Sequence, residues 1–145
     1  MKTLVVYDSN FGNTKLIAEE IAKNIGDDFK VITAKQFNES DLKGVDLLIF
    51  GSPILGWRPS ETTAAVLNSL QGKLSKELKF STFDTRVKLF IHGDAKEKMA
   101  SLLTAAGATL VFEPQAFYVT GKEGPLFKGE LEKAVNWAKL IKTKM

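Results

Sequence analysis

Ser9, Asn10, Asn13 and Thr14 set short hydroxyl and amide side chains around Gly12, directly after the apolar run Leu4 to Tyr7. Such groups donate hydrogen bonds without bulk, and a glycine lets the backbone come close to a ligand. The flanking elements give the donors a direction. Leu4 to Tyr7 is a continuous β-branched and apolar run, the pattern of a strand buried on both faces, and it stops at Asp8. From Leu16 onward, Ile17, Ala18, Ile21, Ala22 and Ile25 recur at helical spacing while Glu19, Glu20, Lys23 and Asn24 take the other side. The loop therefore opens onto the unpaired amides and positive dipole end of a helix, a cradle for an anion and most simply a phosphate. Ser, Asn, Thr and Gly are also ordinary caps and turn formers, so a purely structural loop stays open at this point. No Gly-x-x-x-x-Gly-Lys-Ser/Thr and no Gly-x-Gly-x-x-Gly occurs, which argues against a nucleoside triphosphate or a dinucleotide as the ligand.

Two further stretches carry chemistry. Val45 to Phe50 reads as a second two-sided strand ending at Gly51, and Ser52, Pro53, Ile54, Leu55, Gly56, Trp57 and Arg58 follow it. A Trp on an exposed turn needs cover, from a flat ligand, from its own helix or from a neighbouring subunit. Lys79 to Phe83 reads as a strand and Asp84 to Gly93 as a loop, in which Asp84, Thr85 and Arg86 offer either polar contacts to a ligand or a surface ion pair. His92, the single histidine, ends that loop and reads as a solvated surface residue rather than a catalytic one.

The elements that must position these residues alternate. Phe29 to Thr33 is a further strand, Asn38 to Gly44 a polar linker, and a helix starts near Ser60 and Glu61 and runs toward Leu70. Ala95 to Ala106 is a helix stopped by Gly107; Thr109 to Phe112 and Ala116 to Val119 form an interrupted fifth strand, with Pro114 marking a bulge or edge. The last helix covers about Gly129 to Lys142. Strand and helix alternating predict right-handed crossovers on a parallel sheet with helices on both faces. In such a sheet a ligand sits at the carboxyl ends of the strands, where the loops after the first, third and fourth strands gather. At 145 residues and 44% hydrophobic content, residues 1–145 are expected to form one domain.

Composition narrows the function classes. With no Cys there is no disulfide framework, thiolate nucleophile or cysteine metal site, which fits a reducing compartment. No signal peptide and no run of eighteen apolar residues is visible, so a cytoplasmic protein without membrane insertion is expected. The net charge of +3 is spread along the chain, which argues against nucleic-acid binding, and Lys139, Lys142 and Lys144 read as a solvated helix end.

Ser9-Asn10-Phe11-Gly12-Asn13-Thr14 resembles the Thr/Ser-x-Thr-Gly-x-Thr loop with which flavodoxins hold the terminal phosphate of FMN, Phe11 standing where that pattern has a hydroxyl. Gly51-Ser52-Pro53 through Trp57 is similar to the second flavin-contacting loop of short-chain flavodoxins, and Phe83-Asp84-Thr85-Arg86 takes the place of their third. Gly124-Pro125-Leu126, Gly129-Glu130-Leu131 and Trp137-Ala138 look like the tail of a less-studied flavodoxin-like group. The resemblance implies a flavodoxin-like doubly wound five-stranded parallel sheet, order 2-1-3-4-5, with FMN as cofactor. Carried over by position, Ser9, Asn10, Gly12, Asn13 and Thr14, with Phe11 in their loop, would bind phosphate. Pro53, Ile54, Leu55 and Trp57, with Ser52 and Gly56 in the same loop, would line one side of the ring, and Asp84, Thr85 and Arg86 would meet its polar edge. The implied function is an electron-transfer protein shuttling electrons between redox partners, with no catalytic residue and no metal of its own. An FMN-dependent reductase or oxidase, such as a quinone reductase or a protoporphyrinogen-oxidase-like protein, is the alternative. A phosphoacceptor receiver fits poorly, because the third strand ends in Gly51-Ser52 rather than an acceptor aspartate. This chain also departs from the strongly acidic flavodoxins: Arg58, Arg86 and Lys88 put positive charge on the loops that would frame the ring, which predicts an acidic docking surface on the partner.

Overall fold

The structure is a computed structural model and describes residues 1–88 and 93–145; the expectation for His92 lies outside them. Its strands are β1 (Thr3–Tyr7), β2 (Phe29–Thr33), β3 (Leu47–Leu55), β4 (Arg58–Pro59), β5 (Lys79–Val87), β6 (Thr109–Leu110) and β7 (Gln115–Val119). Its α-helices are α1 (Asn13–Ile25), α2 (Glu61–Ser69), α3 (Lys96–Ala106) and α4 (Glu130–Lys144).

The sheet runs β2-β1-β3-β5, and β6 and β7 share the last place beside β5, at Lys79–Phe80 and Phe83–Val87 respectively. This is the expected order 2-1-3-4-5 with its fifth position divided. Pro114, which has no amide to donate, falls in the gap, and Val111 N still donates to Phe80 O at 2.9 Å. All pairs are parallel except β3 with β4.

Both faces of the sheet are covered, which is why β1 reads as an unbroken apolar run. Val5 and Tyr7 turn to one side with Ile17, Ile21 and Ile25 of α1 and Ala134, Trp137 and Ile141 of α4. Leu4 and Val6 turn to the other with Leu67 of α2 and Met99 and Leu103 of α3. Side chains alternate along a strand, so each face needs its own apolar set. Each fully buried Leu, Ile or Phe contributes about 1.5 to 3 kcal/mol.

Three local expectations are corrected. β3 does not stop at Phe50 but continues to Leu55. Gly51 lies within it because the Phe83 ring packs against its Cα, and a Cβ there would overlap that ring. β5 runs to Val87, so Asp84, Thr85 and Arg86 are strand residues and not a loop. Asn38 to Gly44 is not a plain linker, for Glu39–Leu42 forms a 3-10 helix closed by a capping box. There Asn38 N donates to Asp41 Oδ2 at 2.8 Å and Ser40 N to Asn38 Oδ1 at 3.4 Å. No helix among the described residues is long and apolar enough to cross a membrane.

Candidate functional site

At the carboxyl edge of the sheet β1 gives way to α1 through Asp8 to Gly12. Ser9 N donates to Asp8 Oδ1 at 3.0 Å and Gly12 N to Ser9 Oγ at 3.0 Å, curling the loop back on itself. Gly12 is the N-cap of α1 at φ 91°, a left-handed conformation that glycine adopts freely, and no side chain caps this helix. The first intrahelical bond is Leu16 N to Gly12 O at 3.1 Å. The amides of Asn13, Thr14 and Lys15 precede it and stand at the positive end of the dipole.

A cleft of about 450 Å³ opens beside this helix end, within the roughly 300 to 1,000 Å³ typical of small-molecule sites. Ser9, Asn10, Phe11, Asn13 and Thr14 line one end of it; Pro53, Ile54, Leu55, Gly56 and Trp57 form a wall; Thr85 and Arg86 also line it. Of the residues singled out from sequence, Gly12, Ser52 and Asp84 do not line it. Gly12 shapes the helix start. Ser52 is buried and its hydroxyl accepts Ser60 N at 3.1 Å, joining the bend of β3 to α2. Val87, Gly93, Val119 and Lys122 line the cleft without having been singled out. Lys122 comes from the turn after β7, where Asn13 Nδ2 donates to Glu123 O at 3.1 Å. The Gly124-Pro125-Leu126 stretch that follows it was the visible signal.

The wall is a hairpin rather than a loop. Ile54 pairs with Pro59 and Leu55 with Arg58, leaving Gly56 and Trp57 as the two turn residues. Both have positive φ, 60° and 70°, the requirement of a type I′ turn whose twist matches its strands. For a Trp that conformation is strained by about 1 to 3 kcal/mol. Trp57 O accepts Asp94 N and Lys98 Nζ, each at 3.1 Å, so the turn is held from α3. Gly93 packs against the Trp57 backbone so closely that a Cβ would overlap it. Trp57 stays 58% exposed.

Asp84 is corrected most. It does not meet the cleft but is fully buried, with Arg86 Nε donating to its Oδ1 at 2.8 Å and a second guanidinium nitrogen reaching Oδ2. Arg86 also donates to Asp94 Oδ1 at 3.2 Å. Burial works against the Arg86 charge, and the hydrogen bond and charge of Asp84, then those of Asp94, more than offset it, so the group titrates above its ordinary range. Residues two apart share one strand face, and this pairing lets a polar stretch continue as a buried strand. Arg86 is therefore not an unmatched charge in the cleft. Thr85 points the other way and meets Thr14, their hydroxyls 2.8 Å apart, linking the cradle to β5.

Among the described residues no group of three or more His, Asp or Glu side chains could hold a metal ion. The site instead combines open amides, short hydroxyl and amide donors and an apolar wall. That is a fit for a phosphorylated planar molecule, and with this sheet it defines the flavodoxin-like class of α/β proteins. The chain matches the family described as flavodoxin domain over residues 4–125 and belongs to it. No curated relative matches the sequence. Oxidised flavodoxin 1 from Bacillus cereus superposes with a TM-score of 0.85 at 18% identity, over 100% of this chain and 99% of that one. A flavodoxin from the domain Archaea gives 0.72 at 23% identity, over 99% and 98%. Rubredoxin oxygen:oxidoreductase from Desulfovibrio gigas gives 0.78 at 20% identity, over 99% of this chain and 36% of that larger one.

Proposed function

We propose that the chain is an FMN-binding electron-transfer protein that shuttles electrons between redox partners in the cytoplasm. One observation carries the reading: the uncapped start of α1 and the apolar turn at Trp57 border the same cleft. Bound there, FMN would supply one- and two-electron redox chemistry, while the protein binds, orients and shields it. The amides of Asn13 and Thr14, with Ser9 and Asn10, would hold the phosphate. Ile54, Leu55 and Trp57 would cover the ring and exclude water from one side.

The partner reading follows from the rim. Phe11, Leu55 and Trp57 are exposed apolar groups beside the cleft, and Arg58 and Lys98 stand next to Trp57. An apolar patch edged by cations suits a partner with an acidic docking surface, whose association would slow as salt rises.

The test is direct. Purified or FMN-reconstituted protein should be yellow, bleach on dithionite, and show Trp57 fluorescence that is quenched when FMN binds and recovers on its removal. A colourless protein that gains nothing from added FMN overturns the reading. A recovery that persists in Trp57→Phe and vanishes in Trp137→Phe would assign the ring to the wrong wall.

A further inference from the structure

Positive charge in the cleft is unevenly engaged. Among the described residues two cationic side chains line it, Arg86 and Lys122. Arg86 is held between Asp84 and Asp94. Lys122 forms no ion pair with any described residue.

Lys122 is nevertheless well placed. Its turn is closed by Thr120 N donating to Pro125 O at 2.8 Å and Gly124 N to Gly121 O at 2.9 Å. The same turn is pinned to the first residue of α1, since Asn13 Nδ2 donates to Glu123 O and Gly124 packs so tightly on Asn13 that a Cβ would overlap it. The lysine is thus carried by a braced turn against the open helix end. The cradle itself offers only partial charges: Ser9, Asn10, Gly12, Asn13 and Thr14 are neutral, and a helix terminus is equivalent to about half a unit charge. A phosphate monoester near neutral pH carries between one and two negative charges.

We propose that Lys122 pairs with the terminal phosphate of the ligand and makes the site selective for a phosphorylated flavin over its dephosphorylated form. The inference rests on the FMN reading above and adds a full charge to a phosphate cradle, Ser9 to Thr14, otherwise built of neutral donors.

The experiment titrates wild type, Lys122→Gln and Lys122→Arg with FMN and with riboflavin, following flavin fluorescence at low and high salt. Lys122 is solvent-exposed, so thermal unfolding of the ligand-free variants should match wild type. Lys122→Gln should weaken FMN about three- to tenfold, as expected for one partly exposed charge-assisted contact. Riboflavin binding should be unchanged, the salt dependence of FMN binding should flatten, and Lys122→Arg should restore it. Equal losses for both flavins, or no loss for either in Lys122→Gln, would overturn the assignment while leaving FMN binding intact. A wild type that binds neither flavin would instead remove the FMN reading on which the assignment rests.

Discussion

The starts of α1 and α3 lie at the same edge of the sheet and are finished in opposite ways. At α3 the free amides are taken by the protein's own carboxylates: Asp84 Oδ2 accepts Ala95 N at 3.3 Å and Lys96 N at 3.0 Å, and Asp94 Oδ2 accepts Glu97 N at 3.0 Å and Lys98 N at 3.1 Å. At α1 the cap is a glycine without a side chain, and the carboxylate nearest in sequence, Asp8, accepts Ser9 N instead. α2 sides with α3, since Ser60 Oγ accepts Thr63 N at 3.3 Å. A helix start attracts an anion wherever it occurs. α4 also starts at an uncapped glycine, Gly129, but carries Glu130 and Glu132 in its first turn, whereas the first turn of α1 carries no acid. The α1 end is set apart because the chain has left the anion out.

The strongest way to break this comparison is to strip α3. Asp84→Asn should cost about 3 to 5 kcal/mol in urea unfolding, because a buried guanidinium loses its main counter-charge. The double variant Asp84→Asn, Arg86→Met should recover a large part of that loss. If the single variant loses less than about 1 kcal/mol, the pair does not behave as the buried bridge described above.

Next in size, α1 can be made to resemble α3. Ser9→Asp keeps an acceptor for Gly12 N but places a carboxylate where the phosphate would sit. Like charges about 4 to 8 Å apart repel by about 2 to 4 kcal/mol at an effective dielectric near 20. FMN affinity should fall by that amount and riboflavin affinity should hold. Equal losses would show that the α1 end does not face the phosphate.

Trp57→Gly sharpens the contrast between stability and binding. A glycine relieves the positive φ, so the free protein should gain about 1 kcal/mol in thermal unfolding. FMN binding should weaken by about 1 to 3 kcal/mol through lost aromatic cover. A stable variant with undiminished binding would place the flavin elsewhere.

The smallest effect concerns a capped end far from the cleft. The hydrogen bond from the Asn38 amide holds the Asp41 carboxyl below its ordinary value of 3.8, against burial and with help from Lys30. A depressed carboxyl contributes stability above its unfolded value and loses it as pH falls through the folded one. Asp41→Asn should therefore cost about 0.5 to 1 kcal/mol at pH 7, the scale of a cap. Wild type and variant should converge as acid protonates Asp41, at a pH below its ordinary value of 3.8. A difference that persists there would point to packing rather than the cap.

The fold was legible because its signals are local: two-sided strands read as apolar runs, and α1 as a clean 3.6-residue stripe. The cradle was legible for the same reason, its donors lying together between Ser9 and Thr14. The rest depended on partners distant in sequence. Asp84 and Arg86 read as loop residues because polarity reads as exposure, and nothing local shows that β7 pairs with both and that β3 flanks Asp84 on the other side. Their spacing of two was the available clue. Gly51 read as a strand end because the ring that fills its place, that of Phe83, comes from the neighbouring strand. Lys122 reaches the cleft only because its turn folds back on Asn13, 110 residues from Glu123.

The bonds that Asp94 N and Lys98 Nζ donate to the Trp57 carbonyl also set a clock. A free-standing loop would swing on its own time, within nanoseconds to microseconds. Here the wall is fastened to the first turn of α3, and Asp94 is in turn bonded to Arg86. The motion of the hairpin is therefore coupled to the first turn of α3, and the residence time of a molecule bound against the indole is expected to depend on that turn as well as on the hairpin that touches it.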